Sequence, residues 1–313
     1  MDRRSFLEQT GMALTAASAV GALAARTATA EARIGAVGVG MCDWNLGPMC
    51  DPEQIPRAVE ANLDGIQVSL GRNPDEIILT DPAVRRRYQE LGKRHGITFH
   101  SVALGLLNTY PLATDPRAAV WVIEAVETAA ALGAGNVLIA FFSNGDLRLQ
   151  DAAGEFINET EGTFASYRLN EEHVTSVVDT LKQIAPRARD AGVVLGLENT
   201  ITAQQNLQII ERVGSEWLQV YYDLGNSTGN GYDVPSELRA VGNDQLCEVH
   251  LKDWNTRLLG NEEATVDMEG AAAALRDIGY DKWLVLETSG REGHFVEDTR
   301  GNVAWAKQTF EMA

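Results

Sequence analysis

Four side chains able to hold a cation stand at the ends of four apolar runs. "VVLGLEN" reaches Glu198, "LQVYYDLG" carries Asp223, "CEVHLKDW" carries His250 and "KWLVLETS" carries Glu287. A solvated strand end explains any one of them, because charged groups collect where a chain meets water. Four at matching positions of consecutive runs form a pattern. Three carboxylates and one imidazole suit a single divalent ion, with Mn²⁺ favoured and Mg²⁺, Co²⁺ or Zn²⁺ as alternatives.

Such a cluster needs a frame that turns all four ends to one side. Eight short apolar runs recur along the chain: "RIGAVGVGM", "DGIQVSLG", "ITFHSVALG", "NVLIAFF" and, after them, the four above. Between them lie stretches of helical period such as "DPAVRRRYQELGKRHG" and "NEEHVTSVVDTLKQIAPRARDAG", opening at Asp-Pro or Asn and closing at Gly, which are helix start and stop signals. Eight strands alternating with helices predict an α/β fold, a (β/α)₈ TIM barrel over residues 31–313, whose C-terminal strand ends share one face. The competing doubly wound sheet would carry a Gly-rich phosphate turn after its first strand. "GVGMCDWNLG" lacks one, so Gly38 and Gly40 read as closely packed strand glycines.

Several further residues fall near the expected mouth. Lys252 alternates onto the face of His250, where it either meets a substrate oxygen or neutralises carboxylates. His100, in the third run, reads as a hydrogen-bonded core residue with substrate contact as the alternative. Gln67, Trp254 and Arg257 are candidates for lining the pocket, Trp254 by stacking on a sugar ring. His95, His173 and His294 lie in helical or loop stretches and receive no role.

Composition sets the outer bounds. With 45% hydrophobic residues in 313, the chain can bury a large core. The net charge of -18 repels phosphate backbones, which excludes a nucleic-acid partner; the run Arg85 to Arg87 reads as a solvated helix face. Cys42, Cys50 and Cys247 match no zinc spacing and read as packing residues, with a Cys42–Cys50 bridge left open. Residues 1–30 begin "MDRRSFLEQTG", continue through an Ala-rich apolar stretch and reach small residues at Ala28 and Ala30. They resemble a twin-arginine signal peptide, with a retained membrane anchor as the alternative. That resemblance implies export of the folded protein to the bacterial periplasm by the twin-arginine machinery, with no stable membrane insertion after processing.

"GLEN", "YYDLGN", "VHLKD" and "LVLETS" resemble the strand ends of the sugar phosphate isomerase/epimerase family of xylose isomerase-like barrels, and the likeness covers essentially the whole mature chain. The resemblance implies one divalent metal on Glu198, Asp223, His250 and Glu287. It also implies that Glu198 and Glu287 handle protons on opposite faces of a carbohydrate substrate while the metal stabilises an enediolate. Two positions depart from the ketose 3-epimerase pattern. Asn226 stands where a His is usual, and Gln204 where an acid is usual; both are substrate-binding positions in that family. Endonuclease IV shares the fold, but its three-zinc site needs further histidines, including one at the Asn226 position, and this chain has only five in all. The expected activity is an isomerase or epimerase of a sugar, keto-sugar or polyol. The alternatives are a metal-dependent lyase acting on a 3-keto-glycoside and a non-catalytic sugar-binding protein. A homo-oligomer is left open.

Overall fold

The structure is a computed structural model that describes residues 35–159 and 166–312. The twin-arginine reading falls on residues 1–30, outside the described residues.

The eight runs form β1 (Val39–Cys42), β2 (Gly65–Ser69), β3 (Thr98–Leu104), β4 (Asn136–Phe141), β5 (Val194–Asn199), β6 (Leu218–Asp223), β7 (Leu246–Leu251) and β8 (Leu284–Leu286). All pair in parallel in chain order, and β1 closes onto β8. The helices that follow include Pro82–His95 after β2, Glu171–Ala191 after β4 and Ala203–Val213 after β5. Their boundaries obey the local chemistry. Asp81 accepts from the Ala83 amide just ahead of Pro82, and Asn170 accepts from the His173 amide. Gly96 and Gly192 end these helices at φ 71° and 68°, a left-handed turn that costs glycine little. Among the described residues no helix is long and apolar enough to cross a membrane.

One apolar layer fills the space between barrel and helices; it includes Val68, Val102, Ile139, Leu195, Val249 and Leu284. The barrel interior differs. Its apolar residues are few and mostly small, Cys42, Ala103, Leu138, Ala140, Tyr221, Cys247 and Val285, which leaves room for polar side chains. A register shift between β2 and β3 at Ile66/Gln67 skips His100, as a bulge does, and His100 and Ser101 are both buried. Gly40 makes room for the imidazole, since a Cβ there would lie 2.3 Å from His100 Nε2. The three cysteines are free and buried, so Cys42 and Cys50 are not bridged.

A long excursion separates β4 from helix Glu171–Ala191. Arg148 holds it together: the guanidinium pairs with Asp146 at 2.8 Å, lies over the Phe156 and Tyr167 rings, and donates to Asn230.

Candidate active site

Strand periodicity sets the site on β7. Glu248, His250 and Lys252 alternate inward and occupy three successive depths, from barrel floor to rim. In register beside His250 sits Asp223, the last residue of β6. Glu198 comes from β5, and Glu287 follows the last residue of β8. One ligand atom from each of Glu198, Asp223, His250 and Glu287 lies within 4.8 Å of every other. His250 Nδ1 is 2.8 Å from Glu198 Oε1 and 3.6 Å from both Asp223 Oδ2 and Glu287 Oε2.

The surrounding donors are unevenly shared. Trp44 Nε1 donates to Glu287 Oε1 at 3.2 Å, and Lys252 Nζ donates to Glu287 Oε2 at 2.6 Å. Asp223 Oδ1 accepts from the Asn226 amide at 2.7 Å. Its Oδ2 is buried and makes no hydrogen bond, although the Lys252 ammonium lies 3.0 Å away.

Burial would raise the pKa of Asp223, but the positive charges of Lys252 and His250 hold it well below the usual carboxylate range. For Glu287 burial wins over the same two cations, and its pKa is raised. Burial pulls His250 down, yet its anionic neighbours, Glu198 and Asp223 among them, lift it well above the usual imidazole value. Three carboxylates are thus gathered around one imidazole, with one oxygen left without a hydrogen bond. This is the donor set and the unmet demand of a divalent cation site. Glu198, Asp223, His250 and Glu287 fit such an ion.

The cluster opens into a cavity of about 550 Å³. Glu198, Glu287, Lys252 and Asn226 line it, together with Trp44, Ser69, Arg72, Tyr110 and Phe142. Trp44 was findable in the sequence, because it follows β1 as Glu287 follows β8. Phe142 was findable in the same way, directly after β4, whereas Tyr110 comes from loop geometry and carries no such signal.

Five sequence candidates lie elsewhere. Gln67 is fully buried beneath the cavity, where its Oε1 faces His250 Nε2 at 2.9 Å. His100 is at the floor, bonded to Glu248 at 2.9 Å and stacked on Trp283, as a hydrogen-bonded core histidine is. Gln204 is exposed on the first turn of its helix, where Thr202 and Gln205 form a capping box and Gln205 donates to the Tyr167 carbonyl. Asp253 accepts from the amides of Asn255, Thr265 and Val266, and the turn it ties carries Trp254 outward, 55% exposed. Arg257 is exposed on the same loop and reaches the Gly290 carbonyl.

The family model of the xylose isomerase-like TIM barrel matches residues 55–311, and the chain belongs to that family. Among its relatives is a putative L-ribulose-5-phosphate 3-epimerase of Escherichia coli K12, 24% identical over 257 residues that span 75% of this chain and 82% of the relative. A solved D-psicose 3-epimerase, in the presence of D-fructose, is similar in fold with a TM-score of 0.67 at 14% identity, covering 87% of this chain and 99% of that one. The 3-keto-D-glucoside 4-epimerase of E. coli gives a TM-score of 0.68 at 16% identity, with the same coverage. The relatives named here are sugar epimerases.

Proposed function

We propose that the protein is a divalent-metal-dependent epimerase of a keto-sugar or a related polyol. The observation that carries this reading is the four-ligand cluster at the barrel mouth, two of whose carboxylates, Glu198 and Glu287, also line the cavity. The names of its relatives favour epimerisation over aldose–ketose isomerisation.

A bound divalent ion would supply positive charge to the oxygen that becomes anionic when a neighbouring C–H is broken. The protein's own groups manage the proton. Glu198 and Glu287 reach the cavity from β5 and from the end of β8, so they can address a substrate from different sides. One withdraws the proton beside the carbonyl and the other returns one to the opposite face, which inverts the carbon. Burial raises the pKa of Glu287, the direction that favours proton uptake by a carboxylate. Lys252 and Trp44 each hold one of its oxygens, and Asn226 and Ser69 offer the cavity neutral hydrogen-bonding groups suited to sugar hydroxyls.

The test is turnover of a panel of free and phosphorylated ketoses and keto-glycosides in deuterated water, with the metal content measured. An epimerase puts deuterium at the inverted carbon. Substrate consumed with neither label nor inversion, or a protein that holds no stoichiometric metal, overturns the reading.

A further inference from the structure

The mouth of the barrel is wired to its floor by a line of buried hydrogen bonds, and the line has a direction. It begins at Glu248, 1% exposed and ringed by donors: His100 Nδ1 at 2.9 Å, Asn136 Nδ2 at 2.9 Å and the Tyr221 hydroxyl at 2.8 Å. Because Tyr221 spends its only proton on Glu248, its oxygen accepts the next bond, from Gln67 Nε2 at 2.9 Å. The second proton on Gln67 Nε2 goes to Ser101 Oγ at 2.9 Å.

With both amide protons committed, Gln67 can only accept on its other side. There its Oε1 meets His250 Nε2 at 2.9 Å and Cys42 Sγ at 3.3 Å. A reversed amide would set its oxygen against the lone pairs of Tyr221 and its NH₂ group against His250 Nε2. The Nε2 of His250 therefore carries a proton that bonds to Gln67, and Nδ1, the atom facing Glu198, Asp223 and Glu287, shares its own proton with Glu198 Oε1 at 2.8 Å and is the nitrogen whose lone pair is freed when that proton leaves. Tyr221 also packs its ring edge against the imidazole, centroids 4.6 Å apart.

We propose that Glu248, Tyr221 and Gln67 form a one-way relay that fixes His250 in its Nε2–H form and makes Nδ1 the atom that binds the metal. Gln67 and Tyr221 are positioning residues: they touch neither the cavity nor a substrate, and they act through His250. This inference rests on the metal centre proposed above.

The experiment reads metal binding, not turnover. Wild-type protein loaded with Zn²⁺, which is diamagnetic, is examined by ¹⁵N NMR of its histidines. The His250 signals, recognised by their response to zinc, should show a protonated, hydrogen-bonded Nε2 and a metallated Nδ1. Gln67→Met keeps the length of the side chain and removes the acceptor; its dissociation constant for Mn²⁺, by calorimetry, should rise roughly 10- to 100-fold, as when other partners of metal-binding histidines are lost. Tyr221→Phe keeps the ring and frees the amide to turn, so it should weaken binding by less. It should also broaden or shift the Nε2 proton, which a merely structural loss would leave in place. If Gln67→Met does not fold, Tyr221→Phe and the wild-type spectrum carry the test. Zinc on Nε2, or unchanged Mn²⁺ affinity and an unchanged Nε2 proton in a folded variant, overturns the relay while leaving the metal centre standing. Wild type that binds neither ion overturns the centre and the relay together.

Discussion

The barrel contains two buried pairs of glutamate and histidine, one at each end, and they are built on opposite terms. At the floor, Glu248 receives hydrogen bonds from His100, Asn136 and Tyr221. Burial alone would raise its pKa, but these partners bring it below the ordinary value. At the mouth, His250 faces Glu198, Asp223 and Glu287 together, and Asp223 Oδ2 has no hydrogen bond. At the floor both carboxylate oxygens of Glu248 have donors, and the atoms without a partner are His100 Nε2 and Asn136 Oδ1; at the mouth a carboxylate oxygen is the one left over. The residue types alone do not separate them. The difference lies in whether the carboxylate oxygens have found donors, and a surplus of buried carboxylate acceptors is the condition a cation relieves.

Metal binding is the widest gap between the two ends. Asp223→Ala should lower divalent-metal affinity by more than about 100-fold, because a lost ligand costs at least as much as a lost partner of a ligand. Glu248→Gln, at the floor, should stay within about tenfold of the wild type, the smaller effect of a group two hydrogen bonds beyond Gln67, the ligand's own partner. Calorimetry and elemental analysis check both. Equal losses at mouth and floor would erase the distinction.

Chemistry belongs to the mouth only. With metal occupancy verified, Glu287→Gln should lose turnover by roughly 100-fold or more, the usual scale for a general base. A metal-loaded variant as active as the wild type would remove Glu287 from proton transfer.

Stability should show the reverse order. Glu248→Ala strands a buried imidazole and the Asn136 and Tyr221 donors, which should cost about 3–5 kcal/mol. In metal-free protein Asp223→Asn should cost some stability, since Lys252 and His250 favour the ionised Asp223 carboxylate in the folded state, but less than Glu248→Ala, because it leaves fewer buried donors without a partner. Urea denaturation in the presence of a chelator compares them. A mouth variant that loses as much as the floor variant would mean that the cluster holds the fold together unaided.

The same contrast explains what could be read from the sequence. The barrel and its eight strands were legible, because runs buried on both faces alternate with helices whose caps are written at Asp81, Asn170, Gly96 and Gly192. Glu198, Asp223, His250, Glu287 and Lys252 were legible as a group, because each stands at or just past the end of a parallel strand and those ends share one face. Depth was not legible. Alternation tells which face a side chain occupies, but the stagger of strands in a closed barrel decides its height along the axis. Gln67 and His100 point inward as expected and lie one and two layers too low to meet a substrate. Gln204, Trp254 and Arg257 lie beyond strand ends, where a capping box and an Asp-tied turn set direction, and neither leaves a periodic trace. The cavity wall from Tyr110 depends on loop packing for the same reason.

A half-buried carboxylate away from both ends asks whether unmet acceptor demand by itself makes a ligand site. Glu237, on helix Val234–Val241, lies outside the barrel and accepts from the Ala203 amide at 2.8 Å and the Tyr222 hydroxyl at 3.4 Å. No cation or second ligand joins it. Burial is the main cause of its raised pKa, lifted from 4.5 to about 7 with Asp233 adding to the effect, and the two hydrogen bonds do not offset this. The sign follows from proton binding. A carboxyl whose folded pKa exceeds its unfolded one binds more protons when folded, so its contribution is fully present below the unfolded value and is lost as pH rises through about 7. Between about pH 5 and about pH 8 the wild type should therefore lose on the order of 1–3 kcal/mol through this residue. Glu237→Gln keeps an acceptor for Ala203 and does not ionise, so it should lack that slope and be the more stable protein at the alkaline end, with metal affinity unchanged. Urea titrations of both proteins at the two pH values measure it. Parallel profiles would show that Glu237 is not the group that titrates, and a change in metal affinity would show that the helix it caps reaches the mouth after all.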